Sequence, residues 1–130
     1  MTGITHMLAA TAIYKFTPWG KPVGLALAFV SHFVLDAIPH YELTKKANYI
    51  LGIIGGLYLL ITALLHKDAS LLIATFLGAL PDLNTLFFKG RLLNRIHSRI
   101  HSKGKVYSPW VSIGFELTLS TACILLLTWR

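Results

Sequence analysis

The sequence predicts an all-α integral membrane protein: a bundle of about five helices, the first of them short, with an amphipathic interfacial helix before the last span. Three observations predict it. Hydrophobic residues make up 55% of the 130-residue chain and charged residues 13%, and the mean hydropathy is +0.64. A water-soluble domain is about one-quarter charged, so this chain lacks the polar material to cover a wet surface. Apolar runs at 22–38, 48–66, 70–88 and 108–129 each approach the roughly 20 residues that cross a bilayer. The basic residues fall almost wholly between those runs. The length allows one domain, residues 1–130.

The first helix is expected over about 3–16. Its segment, MTGITHMLAATAIYKF, has no basic region ahead of the apolar stretch, which argues against a cleaved signal peptide. It is short for a span and carries His6 and Lys15, so it is expected to be tilted or only partly inserted. Pro18, Gly20 and Pro22 separate it from a second helix at 22–38, with Pro22 suited to a first helical turn. Pro39 closes that helix by removing a backbone donor and restricting the residue before it. A third helix over 47–66 and a fourth over 70–88 are joined by Lys67 and Asp68. His66, Lys67 and Asp68 read as a solvated turn. The last helix, 108–129, holds Cys123, the single cysteine, which reads as packing. Tyr14, Trp19, Tyr41, Tyr49, Tyr107, Trp110 and Trp129 lie near segment ends, as an aromatic belt does.

Net charge is +7, with 12 Lys and Arg against 5 Asp and Glu. In a soluble protein this balance suggests nucleic acid; here it fits anionic headgroups, and no nucleic-acid partner is expected. Lys89, Arg91, Arg95, Arg99, Lys103 and Lys105 in the long loop, with Lys45 and Lys46, fall on one side of a five-helix topology together with the N-terminus. Lys15, Lys21, Lys67 and Arg130 fall on the other. Short-loop charge places the richer side in the cytoplasm, so an inner (plasma) membrane protein with a cytoplasmic N-terminus is expected. Within the loop, Arg91, Arg95, Arg99 and Lys103 make one ridge of a helix, and Leu93, Ile96, His97, Ile100 and His101 another face. Such a helix lies in the interface, its arginines on phosphates. Arg95 and Arg99 serve there as headgroup anchors, or hold a substrate phosphate.

A weak repeat is visible. Leu35-Asp36-Ala37-Ile38-Pro39-His40 matches Leu77-Gly78-Ala79-Leu80-Pro81-Asp82 at an offset of 42 residues. The offset divides the chain into 1–42 and 43–84 and predicts two parallel hairpins with matching polar ends.

Those polar ends carry the chemistry. His32, Asp36 and His40 are spaced i, i+4, i+8, the spacing of one helical stripe, with His40 expected just past the helix end that Pro39 sets. Asp82 ends the fourth helix at the same surface, beside Asn84. His97 and His101 are again i, i+4, and His6 starts the first helix there. Imidazoles and carboxylates in this number suit zinc, with manganese or iron as other choices, and ionisable groups at membrane depth are costly enough to mark function. His6, His32, Asp36, His40, Asp82, His97 and His101 are therefore candidate ligands. Seven exceed one tetrahedral site, so either two metals bind or some act behind the ligands. Asp36 and Glu116, the latter about two turns into the last helix, are candidate catalytic carboxylates. Glu116 also fits a ligand or an ion-pair partner of the basic loop.

The motifs Ser31-His32 through Asp36, Pro39 and His40, then Gly78-Ala79-Leu80-Pro81-Asp82, then His97 through His101-Ser102, together with Thr5-His6, resemble a family of small bacterial inner-membrane metal-dependent hydrolases that includes the LexA-regulated membrane-bound group. Two features depart from that family: Asn84 stands where a second Asp is common, and Ser98 and Arg99 replace an Arg-Gly pair. The resemblance implies a metal-dependent hydrolase. A metal in such a site polarises an ester or phosphoryl oxygen, so with that resemblance the expected reaction is hydrolysis of an ester or phosphoester of a small-molecule or lipid substrate. A protein that binds or transports a divalent metal uses the same ligands, but it needs them along a path across the membrane, and the outer half holds few. A structural scaffold needs the polar groups only to join helices.

Overall fold

The computed structural model describes residues 1–100 and 108–129. These form α1 (Gly3–Phe16), α2 (Lys21–Asp36), α3 (Lys45–His66), α4 (Ser70–Leu83) continued by a π-helical turn (Asn84–Phe88), α5 (Arg91–Ile100) and α6 (Pro109–Thr128). No strand occurs among the described residues. Three helical stretches, Lys45–His66, Ser70–Phe88 and Pro109–Thr128, are long and apolar enough to cross a membrane. About five helices, the first short, with an interfacial helix before the last span are expected. Among the described residues six helices form, and only three are long and apolar enough to span, because α2 ends at Asp36 after 16 residues, short of the span that the 22–38 run suggests.

The short first helix is neither peripheral nor solvated. α1 packs against α2, α3, α4 and α6, and Thr5 to Ala12 and Tyr14 are buried. Ala9, Ala10 and Ala12 are small enough for neighbouring helices to close in. The closest approach is to α4 at Gly78, where an added Cβ would lie 2.5 Å from the Ala10 Cβ. Small residues at such crossings are how helices pack tightly in lipid. Thr11 and Thr75 join the same two helices, their hydroxyls 2.8 Å apart. Each hydroxyl has one proton: one donates to the other, and its partner donates back to a carbonyl of its own helix, Met7 or Leu71, so neither is left orphaned in the bundle.

Local chemistry sets the helix ends. Gly20, at φ 87°, takes a left-handed bend before Lys21 and Pro22 begin α2. The Thr44 hydroxyl accepts from the Ala47 N–H and caps α3. Lys67, at φ 51°, ends α3 in a left-handed turn. Pro81 lies inside α4, whereas its repeat counterpart Pro39 lies beyond the end of α2. The two aligned prolines thus have different surroundings.

The bundle has two distinct ends. At one lie the start of α1 and the C-terminal ends of α2 and α4, with α5 against them. At the other, the Lys15 ammonium donates to the Leu127 and Trp129 carbonyls at 2.9 and 2.7 Å, placing positive charge on the carbonyl end of α6. His66 Nε2 lies 3.1 Å from the Leu127 oxygen. His66 is therefore part of a helix-end contact and not simply a solvated turn. Lys21 pairs with Asp68 at 3.3 Å nearby.

Candidate metal centre

Five of the sequence-picked groups meet at the first end. The Asp36 carboxylate, 1% exposed, is their focus. Its Oδ2 lies 3.0 Å from His32 Nε2 and 2.8 Å from His97 Nε2, and its Oδ1 lies 3.0 Å from His6 Nε2. Asp82 Oδ1 is 3.7 Å from His32 Nε2 and 3.5 Å from His97 Nε2. One donor atom from each of His32, Asp36, Asp82 and His97 falls within 4.8 Å of the others. A tetrahedral site with bonds of about 2.1 Å spaces its donors about 3.4 Å apart. The separations found here bracket that value.

Three elements deliver these four donors. The i, i+4 spacing sets His32 and Asp36 on one face of α2, as the sequence predicts. Asp82 comes from the last turn of α4. His97 is the one buried residue of α5, and it reaches Asp36 because the chain reverses sharply after α4. That reversal is built by Asn84. Its side-chain amide donates to the Gly90 carbonyl and to Asn94 Oδ1, while its Oδ1 accepts the Gly90 N–H. Lys89, at φ 50°, completes the turn by bonding back to the Asn84 carbonyl across five residues. Asn84 therefore organises the turn, which the sequence reading missed by treating it only as a neighbour of Asp82. An Asn six residues ahead of a Gly is the signal that was there.

The orientation of His32 is fixed from behind. Its Nδ1 lies 2.8 Å from the Gly78 carbonyl, and a carbonyl only accepts, so Nδ1 carries a proton. In the neutral ring Nε2 is then a lone pair facing carboxylate oxygens, a repulsion that a cation held between them relieves. Nε2 makes no hydrogen bond although Asp36 is in contact, and the same holds for His6 Nε2. His97 Nδ1 lies 3.2 Å from the Thr85 hydroxyl. A histidine whose outer nitrogen is held by a carbonyl or hydroxyl, with Nε2 turned inward, has the form of a metal ligand. The donor set fits a divalent cation.

His6, 0% exposed, stacks on His32 with ring centroids 4.0 Å apart. The Asp36 carboxylate holds the His97 imidazole, on α5 outside the spanning helices, above its ordinary pKa, with burial opposing.

The remaining candidates lie elsewhere. His40 is buried beyond the end of α2, its Nδ1 2.7 Å from the Ile38 oxygen. His101 lies outside the described residues. Arg95 and Arg99 are exposed on α5. Glu116 Oε2 accepts from the Thr2 N–H at 3.1 Å, the Thr2 hydroxyl at 2.8 Å and the Thr5 hydroxyl at 3.3 Å. It is thus bound to the first turn of α1, where the free N–H groups favour a negative charge.

Comparison with protein-family models, with curated proteins and with solved structures gives no match. The functional reading therefore rests on the geometry above.

Proposed function

We propose that this chain is a membrane-bound, metal-dependent hydrolase of an ester or phosphoester, with a divalent ion held by His32, Asp36, Asp82 and His97. Zinc is the first choice for two imidazole nitrogens and two carboxylate oxygens, and manganese or iron are the next. The observation that carries the reading is His32. Its Nδ1 proton is committed to Gly78, and its buried Nε2 faces Asp36 with no hydrogen bond. When bound, a divalent cation supplies Lewis-acid polarisation of an ester or phosphoryl oxygen and acidifies water beside it.

The protein's own groups do the rest. Gly78 and Thr85 fix the two imidazoles, and His6 buttresses His32 and the second oxygen of Asp36. Asp82, with its side chain 33% exposed, leaves the centre open at the end of α4. Asp36, at the focus of the centre, is the carboxylate that accepts a proton from water, while Glu116 is engaged by Thr2 and Thr5 and anchors the start of α1. The resemblance to bacterial inner-membrane hydrolases supports this reading, as does the basic character of α5. We place that helix and the N-terminus at the cytoplasmic face of an inner (plasma) membrane. All the assembled donors lie at one end of the bundle, which favours a reaction centre over a path for metal transport.

Elemental analysis of detergent-purified protein should find about one zinc, manganese or iron per chain, lost in His32→Gln and Asp36→Ala. Turnover of a panel of lipid esters and phosphoesters should vanish in the same variants. Protein that carries no metal and is indifferent to chelator sinks the metal centre; activity that survives both substitutions sinks the hydrolase.

A further inference from the structure

Helices α2 and α6 flank α1 and leave a cleft of about 610 Å³ between them, a volume in the range of ligand sites. Its floor is α1 at Ala9 and Ala12, and its walls are Val30 and Val34 of α2 with Leu119 and Cys123 of α6. The cleft therefore runs alongside the helices, at membrane depth. On α2 its lining extends from Leu27 to Leu35, about 12 Å at the helical rise. Leu35 directly precedes Asp36, and Ala9 lies one turn beyond His6. A narrow apolar slot surrounded by hydrocarbon is filled by a hydrocarbon chain, because water finds no partner there.

The charge at the same end of the bundle narrows the choice of chain. α5 packs on α2 and α4 at this end and exposes Arg91, Arg95 and Arg99, while Lys45 and Lys46 are exposed at the start of α3. Phosphate is the complement of that charge. A molecule whose tail fills the cleft carries its head past Leu35 to Asp36, whose donor atom lies within 4.8 Å of that of the half-open Asp82.

We infer that the cleft seats one acyl chain of an anionic phospholipid, and that a phosphoester of such a lipid is the substrate class of the His/Asp centre. The second half of this inference rests on the hydrolase reading; the first does not. In the reaction the oxygen of water bonds phosphorus and the bond from phosphorus to the alcohol oxygen breaks. The alcohol departs with one proton, and the other passes to a site carboxylate and on to solvent.

The test uses the full chain in nanodiscs that contain phosphatidylglycerol with a photoactivatable group in one acyl chain. Labelling mapped by mass spectrometry should favour Ala12, Val30, Leu119 and Cys123 about tenfold over the exposed outer face of α3 at Ile53, Leu57 and Ile61, the ratio given by about 1.4 kcal/mol of selective binding. Val30→Trp, at a half-exposed rim position, should abolish the preference, and Val34→Trp repeats the test at a still more open site. Both variants should keep their metal and their turnover of a short-chain, water-soluble phosphoester, while the KM for the long-chain lipid rises. Labelling spread evenly around the bundle overturns the cleft, whatever the metal content. Selective labelling with equal effects on short- and long-chain substrates overturns the lipid as substrate. Wild-type protein that labels selectively but holds no metal and turns over neither substrate leaves the lipid seat standing, and overturns both the hydrolase reading and the substrate half of this inference.

Discussion

Gly78→Ala places a methyl group where two rigid surfaces already meet. The added Cβ would lie 2.5 Å from the Ala10 Cβ and 2.8 Å from the His6 carbonyl oxygen. Neither neighbour is the tip of a flexible side chain. Ordinary carbon contact begins at about 3.5 Å, so α1 and α4 must separate by about 1 Å. Overpacking of this kind costs about 1–3 kcal/mol. The same shift strikes the centre twice, since the Gly78 carbonyl holds His32 Nδ1 and His6 stacks on the His32 ring. Loss of a group that orients a ligand weakens metal affinity about 10–100-fold. Gly52→Ala is the control, because a Cβ there meets nothing within 4 Å; removing a mid-helix glycine should add about 0.5–1 kcal/mol. The assay is unfolding in detergent, with zinc affinity read by chelator competition. Equal stability and equal zinc affinity in the two variants would refute both the close packing of α1 on α4 and the role given to the Gly78 carbonyl.

Three further outcomes follow from the same geometry. Asn84→Ala removes the hydrogen bonds to Gly90 and Asn94 that fold the turn before α5; hydrogen exchange should show α5 loosened by about 1–3 kcal/mol, with α1 and α3 unchanged. Lys15→Met should fray the C-terminal turn of α6 at a cost of about 0.3–1 kcal/mol, visible as faster exchange near Leu127 and absent at the start of the helix. Burial opposes ionisation of Asp68, but the Ser70 N–H and Lys21 outweigh it and hold its pKa below 3.8. A lowered carboxyl pKa gives stability that is present above 3.8 and lost as pH falls through the folded value; carbon NMR of Asp68 should titrate below 3.8, and Asp68→Asn should remove that part of the acid transition.

The three long helices were legible in composition and length, since about 20 apolar residues have few other uses. Helix ends were legible wherever a proline or a charged pair marks them, as at Pro22 for the start of α2 and at Lys67 with Asp68 between α3 and α4. The stripe of His32 and Asp36 followed from helical spacing, and the approach of Asp82 and His97 from counting loops and charges. What escaped depends on contacts between segments. That Gly78 is an orienting group needs the position of Ala10 and His6, and that α1 is central needs its neighbours on every side. Glu116 shares the helix face expected of it, but only the fold shows that Thr2 and Thr5 occupy its Oε2. His40 follows the same i, i+4 stripe on paper, yet α2 ends at Asp36 ahead of Pro39, and the chain turns its Nδ1 toward Ile38 instead.

The position of α1 has a consequence for how the protein is made. Its 14 residues span about 21 Å, less than the roughly 30 Å of a bilayer core, and they carry His6 and Lys15. Such a segment does not partition into lipid alone. Its polar ends are matched by α2, α4 and α6, and the carbonyls that receive Lys15 belong to α6, a helix made well after it. α1 is thus synthesised before the helices that receive its polar ends, and His6 can meet Asp36 only after α2 has followed it.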